Sequence, residues 1–138
     1  MGHRTILMLE DDEDRVRGFQ SAVASLGQDF GVRIWRDAPT MIADSPACFA
    51  EAGLISLDHD LQAVVGQADP GTGLDVAAFL RLHKPMCPVI LHTSNSDGRM
   101  SMHNQLRAGG WTVATVPPGE ADWIQASWLP IAKRLIGL

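Results

Sequence analysis

Ile55-Ser56-Leu57-Asp58-His59-Asp60-Leu61 decides how the rest of the chain is read. Apolar and small residues run straight into two carboxylates that flank an imidazole. Taking unpartnered ions out of water costs several kcal/mol, so a buried strand that ends this way points to a site that uses the charges. Side chains alternate along an extended strand, which puts Asp58 and Asp60 on one side and His59 on the other.

Working back from this strand, placed at residues 54–57, Gly53 closes a helical segment that starts at Asp37-Ala38-Pro39, with Pro39 near the first helical position, and breaks near Ser45-Pro46. Gly31–Trp35 reads as a strand, and its Arg33 suggests a sheet edge. Thr5–Leu9 is a short apolar run of the kind found in buried parallel strands, and Glu10-Asp11-Asp12-Glu13-Asp14 follows it. Val16, Phe19, Val23 and Leu26 then recur at spacings of three and four, one face of a helix, with Gly27 as its stop. Glu13 and Asp14 suit the positive end of that helix dipole.

Working forward, residues 61–72 form a loop rich in Gly, Gln, Asp and Pro. Its length is at the upper end for a compact domain, where loops are often functional. Asp69 or Thr72 caps a helix carrying Val76, Phe79, Leu80 and His83. Val89-Ile90-Leu91 is a fourth strand that runs into His92-Thr93-Ser94-Asn95, and Ser96-Asp97-Gly98 has the composition of a turn. A weak helix extends to Arg107, closed by Gly109-Gly110. Residues 111–116 make a fifth strand. The last helix, from about Glu120, carries Ile124, Trp128, Ile131 and Leu135 on one face and is expected to kink at Pro130; Trp123 and Trp128 read as core.

Strand and helix alternate throughout. This predicts one α/β domain over residues 1–138, a doubly wound five-stranded parallel sheet with helices on both faces. Ligands in such sheets bind beyond the carboxyl ends of the strands. The first, third and fourth apolar runs end in Asp11-Asp12, Asp58-His59-Asp60 and His92-Thr93-Ser94-Asn95. Adjacent strands lie ~4.8 Å apart, so these groups converge if the three strands are neighbours.

The 138 residues, 46% of them hydrophobic and 20% charged, exclude a disordered chain. A net charge of −5 argues against non-specific binding along a nucleic-acid backbone, but not against attack on one phosphate beside a metal. Cys48 and Cys87 form no C-x-x-C pair and suit a reducing compartment. Ile6-Leu7-Met8-Leu9 is too short for a signal segment or a membrane span. The expectation is a cytoplasmic protein with no membrane partner.

With these motifs in place, the layout resembles the receiver domain of bacterial response regulators, the CheY-like, flavodoxin-like fold with strand order 2-1-3-4-5. On that resemblance Asp11 and Asp12 match the acidic pair that holds a divalent metal, and Asp58 the aspartate that accepts a phosphoryl group. Thr93 takes the hydroxyl position in Pro88-Val89-Ile90-Leu91-His92-Thr93-Ser94, and Ala108-Gly109-Gly110 is similar to the segment before strand five. Two features depart from the pattern. Val116 stands where the family has a lysine, just before Pro117, and the loop after Asp58 is lengthened through residues 62–69. Asp58-His59-Asp60 with His92-Thr93-Ser94-Asn95 is similar to a divergent branch, the cyclic-phosphate processing receiver domains.

That likeness implies a metal site at Asp11, Asp12 and Asp58 for Mg²⁺ or Mn²⁺, and a phosphate-bearing small molecule or nucleic-acid end as the partner. Opening a cyclic phosphate needs a base, an acid and positive charge on the phosphate oxygens. His59 and His92 can divide the proton roles, with Asp58 beside them and Asp60 either orienting a histidine or capping the loop. Thr93, Ser94 and Asn95 can donate to phosphate oxygens. The competing reading is a signalling receiver phosphorylated on Asp58, with a histidine kinase or an effector protein as partner and two copies able to pair as a homodimer. A third is a degenerate receiver that only binds. His3, His83 and His103 read as solvated surface residues.

Overall fold

The computed structural model describes residues 4–138; His3 lies outside them. The chain runs β1 (Thr5–Leu9), α1 (Glu13–Ala24), β2 (Gly31–Trp35), α2 (Ala38–Asp44), a 3₁₀ segment (Ser45–Glu51), β3 (Ala52–Leu57), α3 (Gly73–Arg81), β4 (Val89–Leu91), α4 (Ser96–Ala108), β5 (Val113–Thr115), a π-helical turn (Ile124–Trp128) and α5 (Leu129–Ile136). The strands form a parallel sheet in the order β2-β1-β3-β4-β5. Arg33 therefore lies on an edge strand, and β1, β3 and β4 are neighbours.

Strand alternation sorts the apolar side chains onto two faces. Leu7, Leu9, Ile55, Leu57, Val89 and Leu91 pack with Val76, Leu80, Met102 and Leu106 from α3 and α4. Ile6, Met8, Leu54 and Ile90 pack with Phe19 and Val23 of α1 and with Trp123, Ile124, Trp128 and Leu129 at the C-terminal end of the chain. Both of these tryptophans are core residues.

Several local readings shift. Gly53 lies inside β3, which begins at Ala52, and does not end the preceding helix. The helix of residues 38–51 does break at Ser45-Pro46, where α2 gives way to the 3₁₀ segment. α1 ends at Ala24, before Gly27 takes its left-handed φ of 108°. Ser96-Asp97-Gly98 is the first turn of α4, because the Asn95 side chain accepts from the Gly98 N–H at 2.9 Å and caps the helix. The final helix meets Pro130 with a π-turn, in which the Leu129 N–H reaches back to the Ile124 carbonyl. His83 and His103 are both half-buried; the His83 ring meets Phe49 edge-on and Phe79 at a tilt. Cys48 and Cys87 are free thiols. No helix among the described residues is long and apolar enough to cross a membrane.

Candidate functional site

The ladder that aligns β1, β3 and β4 continues one residue beyond each strand. The Glu10 N–H donates to the Trp35 carbonyl, Asp58 N–H to Leu9 and His92 N–H to Leu57, at 3.0, 3.1 and 2.9 Å. Strand register thus sets Glu10, Asp58 and His92 side by side at the carboxyl rim. Glu10, Asp11 and Asp58 place carboxylate oxygens within 4.8 Å of one another. Glu10 is fully buried and Asp58 only 5% exposed.

Asp12, expected among the metal ligands, is not part of this group. Its carboxylate accepts from the Arg15 N–H at 3.0 Å and caps α1. Glu10 stands in its place. The acidic run offers five consecutive carboxylates, and their identity alone does not show where the strand stops and the helix cap begins. The available signal was position: Glu10 is the residue immediately after the apolar run. One Glu10 oxygen accepts from the Asp11 and Asp12 N–H groups, both at 3.1 Å, which folds the carboxylate over the β1–α1 turn.

His92 is not exposed on the rim. It is wholly buried beneath it, against Phe19 at a ring-centroid distance of 4.9 Å. Its Nε2 lies 3.1 Å from Glu10 Oε1, and its Nδ1 lies 2.7 Å from Ser56 Oγ. Ser56 in turn accepts from Trp128 Nε1–H at 3.0 Å. An indole N–H can only donate and a carboxylate can only accept. The chain is therefore satisfied throughout when Ser56 donates to Nδ1 and Nε2–H donates to Glu10. This makes His92 a group that orients Glu10.

His59 keeps an accessible setting, with its side chain 14% exposed. Its backbone N–H donates to Asp58 Oδ1 at 2.7 Å, and its Nδ1 pairs with Asp60 Oδ1 at 2.8 Å. Asn95 Nδ2 also donates to Asp60, at 3.1 Å. These two hydrogen bonds, the one from His59 first, hold the Asp60 carboxyl below its ordinary range. The Asp60 carboxylate favours the proton on His59 Nδ1 and leaves Nε2 as the basic nitrogen. Gly98 makes room for the ring, since a Cβ there would lie 2.6 Å from it. The Asn95 side chain is committed to the helix cap and to Asp60. Ser94 is exposed, and Thr93 is buried with its hydroxyl oxygen accepting from the Asn95 N–H.

Burial pushes the Asp58 carboxyl from 3.8 up to about 6, helped by the nearby Glu10 charge and opposed by His92, the His59 N–H and Arg15. Arg15 had no place in the sequence-based site. Its guanidinium lies 3.7 Å from Asp58 and 3.9 Å from Glu10, over the Trp123 ring. Val116, at the family's lysine position, is buried and aliphatic. The donor set is therefore three hard oxygen ligands, and the guanidinium near them leaves Asp58 short of compensating charge. That chemistry fits Mg²⁺ or Mn²⁺, with other oxygens completing the shell.

A model for a family described as cyclic-phosphate processing receiver domains matches residues 5–108. The chain belongs to this family. No curated protein matches it. Among solved structures, this receiver domain resembles the Vibrio cholerae chemotaxis protein CheY4, at 15% identity and TM-score 0.68, over 96% of this chain and 98% of that one. It also resembles the phosphorylated cyanobacterial phytochrome response regulator RcpA, at 20% identity and TM-score 0.63, over 96% and 90%. The response regulator domain of Thermotoga maritima CheB aligns at 12% identity and TM-score 0.65, over 99% and 98%. Identities this low show a shared fold.

Proposed function

We propose that this receiver domain hydrolyses cyclic phosphate esters at the edge formed by Glu10, Asp11, Asp58 and His59. The observation that carries the reading is the rim itself: a carboxylate trio with an undercompensated charge and, on the residue that follows Asp58, an imidazole oriented by Asp60. Glu10, Asp11 and Asp58 would hold the divalent cation. When bound, it supplies positive charge to the phosphate oxygens.

The chain's own groups account for the remaining steps. His59 Nε2 takes a proton from the attacking water as the new P–O bond forms. The P–O bond to one ester oxygen breaks, and the imidazolium returns the proton to the departing alkoxide. The product is an open monoester. The Arg15 guanidinium, 3.7 Å from Asp58, is a donor at hand for phosphate oxygens. His92 acts through Glu10 and not as the second proton carrier.

Incubation with 2′,3′-cyclic AMP and Mn²⁺ tests this. Wild type opens the ring, and His59→Ala slows turnover roughly 100-fold or more, the range for loss of a general base. No turnover by wild type, or full turnover by His59→Ala, contradicts the proposal.

Arg15 favours a second reading, in which Asp58 accepts a phosphoryl group and Arg15 provides the cation that Val116 cannot. Under it, treatment with acetyl phosphate and Mg²⁺ adds one phosphoryl mass to wild type and none to Asp58→Asn. An unchanged intact mass for wild type rules it out.

A further inference from the structure

The lengthened loop after Asp58 builds a cleft. It is tied down at three points: Asp60 bridges to Thr72, the Gln62 N–H donates to Asp11 Oδ2 at 2.6 Å, and the Ala38 N–H donates to the Pro70 carbonyl at 2.8 Å. Between the loop and the start of α2 lies a cavity of about 470 Å³, and Asp11 lines it. One carboxylate thus belongs both to the acidic rim and to the cleft wall. A volume of this order falls in the range of small-molecule sites.

The wall chemistry narrows the ligand. Arg36, Gln62 and Gln67 offer a guanidinium and two amides, while Asp37 and Asp69 offer carboxylates. Together with Asp11 that makes three acids against one guanidinium, and Arg36 is already held by Glu13 at 2.8 Å. Such a wall accepts hydrogen bonds from hydroxyls and amines and repels a further phosphate. A cyclic phosphate closes on two oxygens of one carbon skeleton, so that skeleton must lie directly beside the phosphate. A glycerol-sized skeleton leaves most of the cavity empty.

We propose that this cleft binds the sugar and base of a nucleoside cyclic phosphate whose phosphate sits at the acidic rim, so that the ligand is a mononucleotide and not the end of an RNA chain. The phosphate's placement rests on the function proposed above; the cleft's occupant rests on the cavity and its charge.

Binding to the full chain with Mn²⁺ present, read by rapid mixing before the ring can open, tests it. Wild type binds 2′,3′-cyclic AMP at least tenfold more tightly than glycerol 1,2-cyclic phosphate, and no less tightly than an oligoribonucleotide carrying the same cyclic end. Thr40→Trp and Ala68→Trp enlarge exposed cleft residues and remove that tenfold preference, with Mn²⁺ titration and the thermal midpoint as controls on folding. Equal affinity of wild type for the two small ligands, tighter binding of the oligonucleotide, or tryptophan variants that bind the nucleotide like wild type overturns the proposal. Nucleotide that binds in the cleft but is never opened supports the cleft and contradicts hydrolysis, which separates the two failures.

Discussion

Asp58→Asn makes the cation-free protein more stable at pH 7.5, by on the order of 2–3 kcal/mol, while removing most of its affinity for a divalent ion. The sign follows from linkage. The folded carboxyl titrates near 6 and the unfolded one near 3.8. The folded state therefore holds the proton more tightly, and the stability this contributes is complete below pH 4 and lost as the pH rises toward 6. That gap corresponds to about 3 kcal/mol. Asparagine keeps the shape and removes the charge, so the difference between variant and wild type vanishes below pH 4 and reaches its full size above pH 6. Urea unfolding at several pH values without metal checks it. Equal stability of the two proteins at pH 7.5 would show that the buried charge is compensated without a cation. Saturating Mn²⁺ stabilises wild type by mass action and leaves Asp58→Asn close to its metal-free value.

Gly73→Ala is the most damaging single-methyl change at this site. Gly73 opens α3, and its N–H donates to the His59 carbonyl at 2.9 Å. A Cβ there would overlap the Asp58 carbonyl oxygen and come within 2.7 Å of Met102 Cε. The first obstacle is backbone, so no rotamer change relieves it, and either α3 or the β3 end must retreat. Overpacking typically costs roughly 1–3 kcal/mol, a clash with backbone lies at the top of that range, and the retreat moves Asp58 off the rim. The urea midpoint of Gly73→Ala falls accordingly and Mn²⁺ binding weakens. Gly31→Ala, where the new methyl meets nothing within 4 Å, serves as the near-neutral control. A Gly73→Ala protein with unchanged midpoint would mean that α3 does not abut the site as described.

Much of the fold was legible because period-two and helical patterns are local. Thr5–Leu9, Gly31–Trp35 and Val89–Leu91 end where the apolar runs end. The start of α4 was misread because Ser, Asp and Gly serve equally in turns and in the first turn of a capped helix. Asn95 decides between the two, and its role is visible only in the hydrogen bond to Gly98. The site was legible as a rim but not in its details. Glu10 joins the acidic group where Asp12 was expected, because two residues separate the position just past β1 from the cap of α1. His92 turns inward because it shares the parity of Ile90, whose face is covered by α1 and Trp128. The partners of His92 lie 36 and 82 residues away in sequence, and Trp128 is 72 residues from Ser56. No local pattern announces such pairs. Arg15 escaped notice for a similar reason, since its carboxylate partners come from two strand ends.

The most direct measurement is a calorimetric Mn²⁺ titration of wild type, Glu10→Gln, Asp11→Asn and Asp12→Asn. If Glu10, Asp11 and Asp58 form the cation site, Glu10→Gln and Asp11→Asn each weaken binding roughly tenfold or more, and Asp12→Asn stays near wild type. Loss of binding in Asp12→Asn with retention in Glu10→Gln and Asp11→Asn, or no Mn²⁺ binding by wild type at all, would contradict the account.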